Sequence, residues 1–325
     1  MSAALRGRLA GRFGGGVTDA EAPVRISGGL DLWVYGLRFA GPGLPERWAL
    51  PLVARIAAMP ERFPLLERES RLQGWVAAQG YPAPSVLELV PPGSMLEFPV
   101  QVSERVPGIT VAAAMAAAPW SVRRLARRLG ACHAALHRVA VPEWAGEWSL
   151  VRNRLRLPRR LAAAGSVPGL AEGLERTERL LPRLEVSSPA VCHGDFQPGN
   201  VLADGDAPGL SVIDWTDAGV GDRHGDVART AWVFYLAAAA ATDPGRRVAL
   251  RALAPVVSRA YLTAYRRELP VDAGRLRLWL PVHLLHAWAM AAAADELGLS
   301  GPGRLRAGLA DWARREFWRR IDELG

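Results

Sequence analysis

A chain of 325 residues, half of them hydrophobic and 22% charged, is too apolar to stay disordered and too long for one small core. Its net charge of +8 comes from 40 arginines and no lysine against 32 carboxylates. The arginine doublets at 123–124, 127–128, 159–160, 266–267 and 319–320 are scattered over helical patterns. They read as solvated helix faces and a coding bias, not as a nucleic-acid track.

The first residues, Met1 to Gly16, are broken by Arg6, Arg8 and Arg12 and hold no signal core, so a cytoplasmic protein is expected. They read as a short helix with a flexible end at Gly14-Gly15-Gly16. Val24-Arg25-Ile26, then Ser27-Gly28-Gly29, then Leu32 to Leu37 read as strand, glycine turn and strand. Leu50 to Ala57 is an apolar strand carrying Arg55. Leu65 to Gln79 is helical and stopped by Gly80 and Pro82. Phe98 to Val102 is a strand, broken by Ser103 to Gly108. Val122 to Val139 is an amphipathic helix with His133 and His137 one turn apart. That spacing suits zinc, but Ala134 stands where a metalloprotease needs Glu and no third ligand is evident; packing or helix-end hydrogen bonding is expected. Cys132 and Cys192 are expected to stay reduced. Beyond Trp232 the chain reads as helices broken near 243–245, 270–274 and 298–303. No apolar run reaches bilayer length; the longest, Ala231 to Thr242, is too short.

The chemistry concentrates in His193-Gly194-Asp195-Phe196-Gln197-Pro198-Gly199-Asn200 and Ile213-Asp214-Trp215. A His, an Asp two residues on and an Asn five beyond that is the spacing of a kinase catalytic loop. Asp195 can accept a proton from an attacking hydroxyl. Asn200 and Asp214 offer the hard oxygens that magnesium prefers. Between them, Val201 to Ala203, the turn formers 204–209 and Leu210 to Ile213 read as a hairpin that returns Asp214 toward Asn200. Capping and turn roles alone would not explain why all these groups coincide. No Gly-x-x-x-x-Gly-Lys-Ser/Thr segment exists, so a P-loop ATPase is excluded.

These residues, with Asp226 in Gly221 to Arg229, resemble the aminoglycoside phosphotransferase and choline kinase-like family. The likeness is sharp over 191–230 and weak elsewhere. It implies an α+β, two-lobed protein-kinase-like fold: a small antiparallel-sheet lobe over 1–107 ending in a hinge, and a larger, mainly helical catalytic and acceptor lobe over 108–325. It implies a magnesium-dependent kinase that moves the γ-phosphate of ATP or GTP to a hydroxyl of a small molecule, such as a macrolide, an aminoglycoside or a metabolite. Asp195 would be the catalytic residue, Asn200 and Asp214 the metal ligands, and His193 and Asp226 the support of the loop. Nucleotide would meet Ser27, Gly28, Gly29, Arg55, Glu69 and main-chain groups near Glu104 and Val106. Arg55 stands where kinases place a lysine, with Glu69 as its ion-pair partner and Glu67 as the competing choice. Magnesium and the nucleoside triphosphate are the implied cofactor and co-substrate, with no nucleic-acid or membrane partner.

The acceptor side is less legible. Asp217, Asp222 and His224 follow the metal strand, and His283 and Trp288 lie in a late helix; all five are candidate acceptor residues. Glu268, Asp295 and Glu296 are the only carboxylates of the stretches 260–269 and 276–297, which tilts the acceptor away from a polycation. The alternatives are a catalytically silent nucleotide-binding protein of the same fold, kept alive by the missing lysine, and a nucleic-acid binder using the arginine excess.

Overall fold

The computed structural model describes residues 1–26, 32–94, 96–146, 148–186, 188–204, 209–294 and 308–324. In chain order the elements are α1 (Ser2–Phe13), β1 (Thr18–Ile26), β2 (Leu32–Ala40), α2 (Glu46–Ala49), β3 (Leu52–Ala57), α3 (Phe63–Ala78), β4 (Val86–Val90), β5 (Val100–Glu104) and β6 (Ile109–Thr110). Then come α4 (Val111–Ala117), α5 (Val122–Leu136), α6 (Leu150–Ala163), α7 (Leu170–Glu178), α8 (Leu181–Leu184), β7 (Ala190–Cys192), β8 (Val201–Ala203), β9 (Leu210–Val212) and β10 (Gly219–Gly221). The chain closes with α9 (Arg223–Ala240), α10 (Pro244–Glu268), α11 (Ala273–Ala292) and α12 (Leu309–Asp322). Two compact units result, one of Met1–Ile109 with Leu202–Thr216, the other of Thr110–Val201 with Asp217–Gly325. The hairpin β8–β9 thus clusters with the first unit, although it lies far along the chain.

The first unit is an antiparallel five-stranded sheet in the order β1-β2-β3-β5-β4. Alternation in β3 buries Leu52, Ala54 and Ile56 on one face, against Phe39, Trp48, Val100 and Val102. Because the side-chain period of a strand is two, Arg55 faces the other way. Helix α3 buries Leu66, Glu69, Ser70, Leu72, Gln73 and Val76, the i, i+3, i+4 stripe of a helix against a sheet. Its acidic member, Glu69, is thereby carried inward. β8 and β9 pair with each other, and Val212 N donates to Pro82 O at 2.7 Å. Ser27, Gly28 and Gly29 lie outside the described residues.

The second unit is mainly helical around the short antiparallel pair β7–β10. In α5 the residues Leu125, Ala126, Leu129, Gly130 and His133 are buried, while the Arg123-Arg124 doublet points outward. That is the solvated-face reading of the doublets. α5 packs on α10, and α11 lies against α6, α9 and α12. The core is built from Leu155, Leu161, Trp279, Leu284, Leu285, Trp288 and Phe317. Neither Cys132 nor Cys192 forms a disulfide. Among the described residues no helix is long and apolar enough to cross a membrane. The whole is the α+β protein-kinase-like fold, an antiparallel-sheet part followed by a helical part.

Candidate active site

In the first unit the site is organised by Arg55. The register pairs Arg55 with Gln101 across β3 and β5, and α3 lays Glu69 alongside. The Arg55 guanidinium donates through Nη1 to Glu69 Oε1 and, at 3.2 Å, to Gln101 Oε1. Through Nη2 it reaches Thr216 Oγ1 at 3.1 Å and Asp214 Oδ1 at 3.3 Å. Glu67, the competing partner, is exposed. Burial lowers the pKa of Arg55 and the neighbouring Asp214 charge raises it, with burial the larger effect. Thr216 ties the cluster together, donating to Asp214 Oδ1 at 2.8 Å and lying 3.3 Å from Glu69 Oε2.

Asp214 follows β9 by two residues and takes φ 65°, the only left-handed non-glycine among the described residues. Such a conformation costs about 1–3 kcal/mol and persists where surroundings over-determine it. Here the neighbouring Trp215 is the anchor. It is fully buried, donates from Nε1 to Val212 O at 3.0 Å and meets Tyr81 edge-on with centroids 6.0 Å apart. The Asp214 side chain stays 49% exposed, and Arg55 and Thr216 both engage Oδ1. Glu104 ends β5 and pairs with Leu52 across the sheet; Val106 lies in the segment that follows.

In the second unit β7 leads directly into the His193–Asn200 loop. Asp195 accepts from Gln197 Nε2 at 2.7 Å and Asn200 Nδ2 at 3.0 Å, both on Oδ2, and from Arg229 Nη2 at 2.7 Å on Oδ1. Asn200 thus spends its amide nitrogen on Asp195, which leaves its carbonyl oxygen as an acceptor. The loop is braced by Asp226, whose carboxylate takes His193 N at 2.5 Å and Gly194 N at 3.0 Å. Gly194 sits at φ 79°, and a Cβ there would lie 2.2 Å from Asp217 O, so both its conformation and its space demand glycine. His193 is buried, and its Nδ1 accepts from Asp195 N at 3.3 Å.

Asp226 is itself fully buried and is held by two histidines that the sequence left without an evident third partner. His133 Nε2 and His137 Nε2 lie 3.1 and 3.4 Å from Asp226 Oδ2. Their other ring nitrogens bond Tyr261 Oη at 2.7 Å and Tyr265 Oη at 2.6 Å. The three potential ligand atoms lie within 4.8 Å of one another. His137 Nε2 and the Asp226 carboxylate have hydrogen-bond partners, whereas His133 Nε2 lies buried 3.1 Å from Asp226 Oδ2 with no hydrogen bond among the described residues; the cluster braces the loop through Asp226. Burial pushes the Asp226 pKa up, but the His133 and His137 contacts outweigh it and hold it well below the usual carboxylate range. Burial pulls His133 down to about 4, reinforced by His137.

The candidate acceptor residues divide. Asp217 remains partly exposed; burial raises its pKa, and the nearby Arg154 charge leads the effects that lower it on balance. Asp222 lines a cavity of its own unit with Ser149, Arg152, Val220 and Trp279, but its carboxylate is already engaged. It is buried, caps α9 through His224 N and takes Trp279 Nε1 at 2.8 Å and Arg275 Nε at 2.7 Å. His224 is buried against Asp222 and accepts from Asp272 N at 3.2 Å. His283 bonds Gly225 O at 2.8 Å, and Trp288 packs on Phe317 in the core. These four are buried among their own unit's elements. Residues the sequence reading passed over are Gln101, Thr216, Gln197, Arg154 and Arg229. Arg229 had a signal: it lies one helical turn beyond Asp226.

A sheet unit that carries a part-buried cation clustered with carboxylates, and a helical unit that braces a His-x-Asp loop, define a phosphotransferase of the small-molecule kinase kind. The chain belongs to the phosphotransferase enzyme family, whose sequence model matches residues 41–271. It is 31% identical over 222 residues to an aminoglycoside 3'-phosphotransferase of Streptomyces fradiae, covering 61% of this chain and 75% of that protein. Among solved structures it resembles an aminoglycoside 3'-phosphotransferase of type VIII (TM-score 0.55, 26% identity, 86% of this chain and 96% of the other). It also resembles a thermostable aminoglycoside phosphotransferase in ternary complex with ADP and hygromycin B (TM-score 0.64, 15% identity, 98% of each chain).

Proposed function

We propose that the chain transfers the γ-phosphate of a nucleoside triphosphate, ATP or GTP, to a hydroxyl of a small molecule, with Asp195 as the catalytic base. The observation that carries this is the state of Asp195: a carboxylate fixed by three donors on a loop whose amides are braced by Asp226. Fixing it in advance is what transfer chemistry needs, because positioning supplies most of the acceleration and proton acceptance about 10²–10⁴-fold.

The donor set fits magnesium. The Asp214 carboxylate is half exposed, its hydrogen bonds among the described residues fall on Oδ1, and Asn200 keeps a carbonyl oxygen. These are the proposed ligands, and bound magnesium would neutralise phosphate charge. Arg55, oriented by Glu69 and Gln101, would grip phosphate oxygens with a permanent charge in a planar fork. Ser27, Gly28 and Gly29, with main-chain groups near Glu104 and Val106, are the proposed nucleotide contacts. His193 supports the loop from the buried side. In the transfer, the hydroxyl proton passes to Asp195 as the new O–P bond forms. The bond from the γ-phosphorus to its bridging oxygen breaks, releasing the nucleoside diphosphate.

The test is mass spectrometry of an alcohol library incubated with ATP or GTP and magnesium, read as an added phosphate. Asp195→Ala is expected to bind nucleotide with unchanged affinity and to lose at least 10²-fold in turnover. For the metal ligand, Asp214→Asn is the sharper variant, because Asn also tolerates φ > 0 and removes only the charge. It is expected to weaken magnesium-dependent nucleotide binding at least tenfold in calorimetry. Binding equal to the parent's would remove Asp214 from the metal site.

A further inference from the structure

The second unit is strongly basic: 29 arginines against 19 carboxylates give it +10, whereas the first unit holds 11 against 13. The asymmetry reaches the base itself. Asp195 is paired with Arg229, and Asp217 with Arg154 at 3.5 Å, Arg154 being only 3% exposed. Neither carboxylate is left to attract a cation. Glu178, Glu268 and Asp322 are likewise taken by Arg159, Arg138 and Arg176.

Arg229 carries more donors than this pairing uses. Nη2 bonds Asp195 Oδ1, while Nη1 is buried and has no hydrogen-bond partner among the described residues. A buried N–H without an acceptor is rare and calls for one. From Arg229 the α9 face continues at i+3 and i+7 as Trp232 and Leu236, both half-buried. Trp232 stacks on Trp312 of α12, with centroids 5.5 Å apart and planes 16° from parallel.

We propose that the acceptor lies on this α9 face, with its hydroxyl at Asp195, an anionic oxygen at Arg229 and a flat apolar body against Trp232 and Trp312. Its class is a carboxylate-bearing aromatic or aliphatic alcohol, not a polycation. The inference rests on Asp195 being the base.

The test uses matched probes: 4-(hydroxymethyl)benzoate, its amide, the corresponding benzylamine, and kanamycin. Binding is followed by tryptophan fluorescence and phosphate transfer by mass spectrometry with ATP and magnesium. The acid is expected to bind and react at least tenfold better than the amide, with the amine and kanamycin weaker still. Arg229→Gln should bring the acid-to-amide ratio near one, Arg229→Lys should restore part of it, and Trp232→Ala should raise KM for all three benzyl probes with kcat little changed. No acid-selective binding in the parent, a preference for amine or kanamycin, or an unchanged ratio in Arg229→Gln overturns the proposal. Asp195→Asn separates the two readings. Lost turnover with acid-selective binding kept supports both, whereas turnover kept with that selectivity intact removes Asp195 as the base and leaves the acceptor class standing.

Discussion

Arg55 occupies a position where a single cation has five possible uses for its donors, and four are filled inside its own unit by Glu69, Gln101, Asp214 and Thr216. A lysine has three donors on a flexible stem and could not hold a planar fork against both Glu69 and Thr216. The lysine-free chain therefore does not merely tolerate arginine here; the surrounding acceptors are arranged for it. Arg55→Lys keeps the charge and is expected to raise the nucleotide KM several-fold. Arg55→Met removes it and leaves the buried Glu69 without a cation, with only Thr216 beside it, and should cost about tenfold or more in kcat/KM, because hydrogen bonds to charged groups contribute about 1.5–3 kcal/mol. Steady-state kinetics of the two variants beside Glu69→Gln checks this. If Arg55→Lys matches the parent, the fork geometry is not what the site uses.

At the scale of elements, the brace depends on how closely α5 and α10 approach. Gly130 is the contact point: a Cβ there would lie 2.3 Å from the backbone oxygen of Tyr261, and backbone cannot move aside as a side chain can. One turn further on His133 reaches Tyr261, and two turns on His137 reaches Tyr265, so the gap at Gly130 governs both His–Tyr bonds. Gly130→Ala is expected to destabilise by about 1–3 kcal/mol, seen as a lower denaturant midpoint with an unchanged slope. The α5 helix itself was legible, since its apolar spacing and outward arginine doublets are local signals. The His–Tyr bonds were not, because their partners lie 128 residues apart and neither tyrosine has a motif. Asp195, Asn200 and Asp214 stand out as candidates in the sequence because short spacing carries them. Asp222, His224, His283 and Trp288 read as acceptor groups because a sequence shows that a polar or aromatic residue is present but not which way it points. α11 is the clearest case, buried over Leu278, Trp279, Val282, His283, Leu285 and Trp288, so no apolar stripe separates core from pocket.

Across the whole molecule, buried histidines set the response to acid. Burial holds His133 near 4 and His286 near 3, and lowers His137 and His283 in the same way. In the unfolded chain each returns to its ordinary value of 6.5, so between about pH 6.5 and 4 the unfolded state binds more protons than the folded one. Stability therefore falls as pH drops through that window, with His133 contributing at most about 3 kcal/mol of the loss. Asp226 acts in the same direction but lower, below its ordinary 3.8, where protonation would cost the brace its charge. Self-repulsion of a chain already at +8 also grows with acid. Salt distinguishes the two causes. Repulsion between exposed arginines is screened within about 10 Å at 0.1 M, whereas the proton uptake of histidines released from a dry core is not. Unfolding free energies from pH 7 to 4.5, at 0.05 and 0.5 M salt, should keep most of their slope at high salt. His133→Asn should flatten that slope by roughly the share of one histidine, and a slope that disappears in salt would assign acid sensitivity to the arginine surface instead.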